Sequence, residues 1–158
     1  IMDLLELRIC LESFAAYHAA QRRTDEDIEA LKQAIMRMRR AKRQPQTDDA
    51  SMQELRQLSH GFHQCMIQAA HNSVLTSVYE NLFELLDISR QFTTNTSGIS
   101  YNSILAHEAI FNKIVEQDAD GAREAMEEHL GDVRMNLAVK LEAAEMEELL
   151  QIDPGLEC

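Results

Sequence analysis

The chain has 158 residues, with 15 Lys+Arg against 27 Asp+Glu, so its formal charge is −12 with histidine neutral. A surface of that sign argues against nucleic acid as its direct partner. The length suits one domain with a sizeable core, and 45% hydrophobic with 27% charged residues excludes disorder as the general state.

No apolar run approaches the roughly 20 residues that cross a bilayer, and neither a membrane partner nor a signal peptide is expected. Three cysteines, Cys10, Cys65 and Cys158, lack motif spacing. Cys10 and Cys65 stand among apolar neighbours and read as small hydrophobes in a reducing cytoplasm.

Five glycines and two prolines leave few chain breaks. Long helices are the economical reading, and the expected fold is all-α: one antiparallel bundle of about six helices around a central ligand or metal cavity. The first helix is expected over Met2–Arg22, with Leu4, Leu7, Leu11 and Phe14 on one face. Thr24-Asp25-Glu26-Asp27 then reads as the cap of a second helix carrying Ile28, Leu31, Ile35 and Met38, ending near Arg43. Gln44 to Ala50 is expected to be a loop, before a third helix from near Ser51 to Asn72. A fourth helix follows from Ser73 to about Phe92 on the spacing of Val74, Val78, Leu82, Leu85 and Leu86, then a loop over Thr93 to Gly98. The fifth spans about Ser100 to Gln117. The sixth starts near Asp118 and runs to about Leu150, before Asp153-Pro154-Gly155 ends it.

Charge is uneven along the chain. Glu116 to Cys158 holds thirteen acids and three bases, while Arg37, Arg39, Arg40, Lys42 and Arg43 form a basic run. Both read as solvated helix faces, the basic run also complementing a helix C-terminus.

The informative residues are histidines on three helices. His107 lies in the apolar stripe of Ile104, Phe111 and Ile114, and His129 in that of Met126 and Val133, so both should face the core. On the third helix Phe62, Met66 and Ala69 define the inward direction; His63 lies on its flank and His60 turns further out. Burying several imidazoles without partners is costly, and a shared divalent metal is one way to satisfy them. Spacing alone leaves open whether these helices are neighbours. Arg8 is a second oddity, because it falls in the stripe of Leu4, Leu11 and Ala15 and needs an anion. Either Glu12, one turn on, or a carboxylate ligand inside the bundle would supply it.

Together these segments resemble the helical effector-binding (FCD) domain of FadR-type regulators in the GntR superfamily. Asp3-Leu4-Leu5-Glu6-Leu7-Arg8 with Leu11-Glu12 resembles the opening of its first helix, and Ala15 to Ala20 continues it. Phe62-His63 and Ala69-Ala70-His71-Asn72 resemble its third-helix signature. His107-Glu108-Ala109-Ile110, then Asp118-Ala119-Asp120-Gly121-Ala122-Arg123 to Met126 and His129, form the most specific stretch.

The resemblance implies a divalent metal, Zn²⁺ or Ni²⁺, held by His63, His107 and His129. Ser59 stands where the metal-binding branch of the family carries an aspartate ligand, which alters one coordination position. The expected ligand contacts are Arg8, Ser59 and Asn72, although capping of the following helix also accounts for Asn72. The resemblance further implies a small organic acid as effector, a homodimer, and DNA contact only through an N-terminal winged helix-turn-helix domain apparently absent from this chain, so that residues 1–158 are one effector-binding domain. Three classes compete. A zinc-dependent hydrolase would need a nearby acid or base, and no His-Glu-x-x-His motif exists. A di-iron carboxylate bundle fails, because His60, Ile104 and Met126 stand three residues before the three histidines. A metal-free helical effector-binding or dimerisation domain stays open if the histidines never meet. An enzyme is not expected.

Overall fold

A capping box starts the second helix. Thr24 Oγ1 accepts from Asp27 N at 3.2 Å while Asp27 Oδ2 accepts from Thr24 N at 2.8 Å, so two backbone donors that the helix leaves open are satisfied reciprocally. Similar local chemistry divides the rest of the chain. The computed structural model describes residues 1–44, 49–82, 84, 85, 87, 88, 92 and 101–152. Within them lie α1 (Met2–Arg22), α2 (Asp25–Lys42), α3 (Asp49–Ala69), α4 (Ser73–Asn81), α5 (Tyr101–Val115) and α6 (Ala119–Ile152), with no strand. This is the all-α architecture that the sequence predicts.

Helix ends move by one to three residues from their expected places, for identifiable reasons. The helix α3 begins at Asp49, so Asp49 and Ala50 belong to it and not to the preceding loop. It ends at Ala69 instead of Asn72, because His71 adopts the left-handed conformation, φ 45°, that terminates helices. Gln117, φ 58°, ends α5 likewise, with Asp118 N donating to Lys113 O at 3.0 Å. Asp118 then caps α6 by accepting from Gly121 N at 2.9 Å, so close that a Cβ on Gly121 would collide with its carboxylate. Beyond Asn81, Glu84, Leu85, Asp87, Ile88 and Phe92 are also helical, as expected. The expected loop over Thr93–Gly98, the terminating Asp153-Pro154-Gly155 and Cys158 lie outside the described residues.

The helix α1 packs against α3, α4, α5 and α6, while α2 lies on α3 and α5, and α5 on α6. The face of α1 that does this is not the leucine stripe. Leu4 and Leu11 are half-buried, Leu7 lies at the surface and Phe14 is 47% exposed, whereas Leu5, Arg8, Glu12, Ala15, Ala16, Ala19 and Ala20 are buried. Alanine has almost no side-chain bulk, so its ridge admits neighbouring helices more closely than leucine would. In α4, Leu75 and Tyr79 face inward while Val74 is 71% exposed, so the Val74–Val78 stripe is an outer face. Cys10 is exposed, against expectation, and Cys65 is partly buried. The predicted stripes of α2, α5 and α6 turn inward: Leu31, Ile35, Met38, Ile104, Ile114 and Met126 are buried in one core that Ile110 and Leu130 also join, Phe111 packs against it, and Ile28 and Val133 are half-buried.

Two consecutive arginines at the C-terminal end of α1 tie this frame together. Arg22 Nη1 donates to Ala70 O at 3.0 Å, at the end of α3. Arg23 Nε donates to Ile114 O at 3.3 Å and its Nη2 to Val115 O at 2.8 Å, at the end of α5. Cations suit helix C-termini, where carbonyls lack intrahelical partners. Arg39 of α2 forms a bidentate pair with Glu108 of α5. Arg23→Ala should cost about 1–3 kcal/mol, the usual worth of hydrogen bonds from a charged donor. Urea denaturation should show the midpoint falling with an unchanged slope, and Arg23→Lys recovering only part of the loss.

Candidate metal and effector site

Helices α3, α5 and α6 each carry one histidine to the same place. His63, His107 and His129 are all buried. His107 Nε2 lies 3.1 Å from His63 Nε2. The rings of His63 and His129 stack with centroids 5.7 Å apart and an interplanar angle of 18°, and those of His107 and His129 meet edge-on at 4.7 Å. One ring nitrogen from each histidine lies within 4.8 Å of the other two. Two imidazole nitrogens sharing a tetrahedral zinc at roughly 2.0–2.1 Å are about 3.3 Å apart. The His63–His107 separation is already close to that value, and bringing the other nitrogens, which lie within 4.8 Å, to it asks for at most about 1.5 Å, within side-chain reach. The donor set therefore fits a divalent ion of imidazole-binding type.

Burial first, and neighbouring charge second, keeps two of the rings neutral. Burial, followed by the neighbouring His129 and His63, holds His107 well below the usual histidine range. Burial, then His63 and Arg8, pushes His129 down to about 3. Neutral imidazole is the form that ligates a metal.

Behind the histidines, α1 supplies a buried ion pair. Arg8 Nε lies 3.3 Å from Glu12 Oε1, and Glu12 has no exposed surface. The i,i+4 partner is thus the anion that Arg8 demands. Tyr79 Oη of α4 donates to the same oxygen at 3.4 Å. The other oxygen, Glu12 Oε2, lies 2.7 Å from His63 Nδ1, off the ideal direction for a hydrogen bond. Distance outweighs angle at that separation, because two lone pairs facing each other there would repel. Sequence reading missed the link from Glu12 to His63, which joins residues on different helices and leaves no local signal.

The other expected residues fall around this centre. Ser59 is half-buried on α3, one turn before His63. Asn72 caps α4, its Oδ1 accepting from Leu75 N at 3.1 Å. His60, turned further out as expected, has its Nδ1 3.9 Å from Asp87. A separate cavity of about 590 Å³ lies between α1 and α6; Ile9, Phe14, Tyr17, His18, Arg123 and Glu127 are among its walls, and none of the three clustered histidines is.

The buried rings make stability depend on pH. The unfolded chain takes up protons below about 6.5, the ordinary histidine value, while folded His107 and His129 resist them. The unfolded state then binds more protons, and stability falls as pH falls. Metal-free protein should lose about 1.4 kcal/mol per pH unit for each such histidine between pH 6.5 and the folded pKa. Urea titrations at pH 7, 6 and 5 in chelator measure the slope, which His129→Gln should roughly halve.

Residues 3–132 match the FCD domain family. The chain is 32% identical over 139 residues to a protein described as an L-lactate dehydrogenase operon regulatory protein of Escherichia coli (strain K12), covering 85% of this chain and 50% of that protein. It is 31% identical over 140 residues to the Uxu operon regulator of Haemophilus influenzae (strain ATCC 51907 / DSM 11121 / KW20 / Rd), with 85% and 50% covered. The chain thus spans about half the length of these relatives, both of which are described as regulators of operons. A solved structure described as the metal-free FCD domain of a transcriptional regulator superposes with a TM-score of 0.66 at 19% identity, covering 89% of this chain and 93% of that one, and shares its fold. With the domain match spanning most of its length and relatives above 30% identity, this chain belongs to the FCD domain family.

Proposed function

We propose that the chain is the effector-binding domain of a FadR-type bacterial transcriptional regulator of the GntR superfamily, acting in the cytoplasm as a homodimer. In this reading His63, His107 and His129 hold a divalent metal, Zn²⁺ or Ni²⁺, and a small organic carboxylate completes the coordination. The observation that carries the reading is the convergence of three buried imidazoles from three helices on one point. Such a cluster leaves open coordination positions, and a hydroxy, keto or sugar acid supplies the oxygen donors to fill them. Arg8 and Ser59 border the same region from α1 and α3 and are assigned to the effector, Arg8 through the charge it shares with Glu12. Asn72 keeps its capping role.

DNA binding in this reading belongs to a separate winged helix-turn-helix domain, consistent with the −12 charge of the present chain. The effector would act by binding two arrangements of the dimer with different affinity, since a ligand that binds both equally shifts nothing. Ser59 in the aspartate position favours a second reading, in which the pocket takes an organic anion directly through Arg8 with no metal.

A thermal-shift screen of small organic acids, with and without chelator, separates the two. It should include L-lactate, given the relative described as regulating an L-lactate dehydrogenase operon. An acid present at a hundred times its dissociation constant should raise the melting temperature by about 5–10 °C. Stabilisation that vanishes with chelator supports the metal-dependent site; stabilisation indifferent to chelator supports the direct anion site. His107→Ala should lose the metal while keeping its helical circular dichroism, and global unfolding of this variant or unchanged metal content would count against the assignment.

A further inference from the structure

Among the described residues, Glu12 is a carboxylate that reaches the histidine cluster from outside the three helices that carry it. It is fully buried: Oε1 accepts from Arg8 Nε at 3.3 Å and Tyr79 Oη at 3.4 Å, and Oε2 lies 2.7 Å from His63 Nδ1, too close for that nitrogen to present a bare lone pair to a carboxylate. A carboxylate paired with a guanidinium is ionised and can only accept hydrogen bonds. The proton at the His63–Glu12 contact must therefore sit on His63 Nδ1. In the neutral form that ligates a metal, His63 carries that one proton only, so its Nε2 is a bare lone pair, and it is this atom that faces His107 Nε2 at 3.1 Å.

The consequence passes to the next ring. Two lone pairs at that distance would repel, so without metal His107 carries its proton on Nε2 and donates it to His63. The opposite nitrogen agrees: His107 Nδ1 is buried with no hydrogen-bond partner among the described residues. An N–H there would be an unsatisfied buried donor, which costs more than an unused lone pair.

We propose that Glu12 is the positioning residue of the cluster: by holding the proton of His63 on Nδ1 it presents Nε2 as a preformed metal ligand, so that divalent-metal affinity in the pocket depends on a residue of α1. The proposal rests on the metal reading above for its function, although the proton placement stands without it. Carboxylates that accept from the far nitrogen of a ligating histidine fix its tautomer and raise its basicity, and their loss commonly costs 10- to 100-fold in metal affinity.

Two measurements test this on the whole chain. Long-range ¹⁵N–¹H spectra of metal-free protein near neutral pH read the tautomers directly, and His63 should be protonated on Nδ1 and His107 on Nε2. Titration with Co²⁺, followed by its visible absorption, reads the affinity. Glu12→Gln keeps a carbonyl acceptor but loses the charge, and should bind Co²⁺ roughly 10-fold more weakly with the His63 tautomer retained. Glu12→Leu removes the acceptor, and should lose the tautomer preference and approach a 100-fold weaker affinity. Where the single leucine variant leaves Arg8 charged and buried and fails to fold, Arg8→Met with Glu12→Leu removes both charges and carries the same expectation. A wild-type His63 protonated on Nε2 overturns the proposal, as do leucine variants with wild-type affinity and tautomers. Wild-type protein that shows the expected tautomers yet takes up no Co²⁺ overturns the metal reading instead.

Discussion

The carboxylate of Glu12 has no contact with solvent, and the centre of the molecule is arranged around that fact. A buried charge must be compensated or it is strongly destabilising, and here the compensation comes from four helices. Arg8 supplies the countercharge from α1 itself, Tyr79 a hydroxyl from α4, and His63 a ring nitrogen from α3. The fourth, α5, enters indirectly, through His107 against His63. Because Arg8 and His63 share one carboxylate, anything that draws Arg8 away changes the charge felt at His63. Arg8 on α1 and the histidines of the other helices are thereby one electrostatic unit.

That unit can exist only because α1 fits closely among its neighbours. Ala15, Ala16, Ala19 and Ala20 continue the buried face that starts with Leu5, Arg8 and Glu12. Polar groups thus occupy one half of the face and the smallest side chains the other. The small half sets how near the helices lie, and the polar half uses that nearness.

Much of this was legible from residue order, and the failures share a cause. Capping by Thr24 and Asn72, the inward faces of α2, α5 and α6, and the burial of His107 and His129 all follow from local spacing. Counting large apolar residues points to Leu4, Leu7, Leu11 and Phe14 on α1, and to Val74, Val78, Leu82 and Leu85 on the fourth helix; Leu11 and Leu82 do pack against the core, but Leu7, Phe14, Val74, Val78 and Leu85 lie at the surface. The true contact faces rest on alanines in one case and on Leu75 and Tyr79 in the other. Hydrophobic patterning weighs size, whereas close helix packing rewards its absence. His63 was placed only on a flank, because α3 faces several neighbours and a single inward direction does not describe it. The Glu12–His63 contact and the Arg22 and Arg23 caps join residues far apart in sequence, so no window of the chain contains both partners.

Arg22 and Arg23 lie at the opposite end of α1 from Arg8. Each grips the last carbonyls of a different histidine-bearing helix, so the spacing of α3 and α5 is gauged by two adjacent residues well away from the histidines those helices carry. Scaffold and contents are accordingly written in separate places. A change at Ser59, one turn before His63, would alter the surroundings of the histidines while leaving untouched the two arginine clasps that hold the helices at their distance.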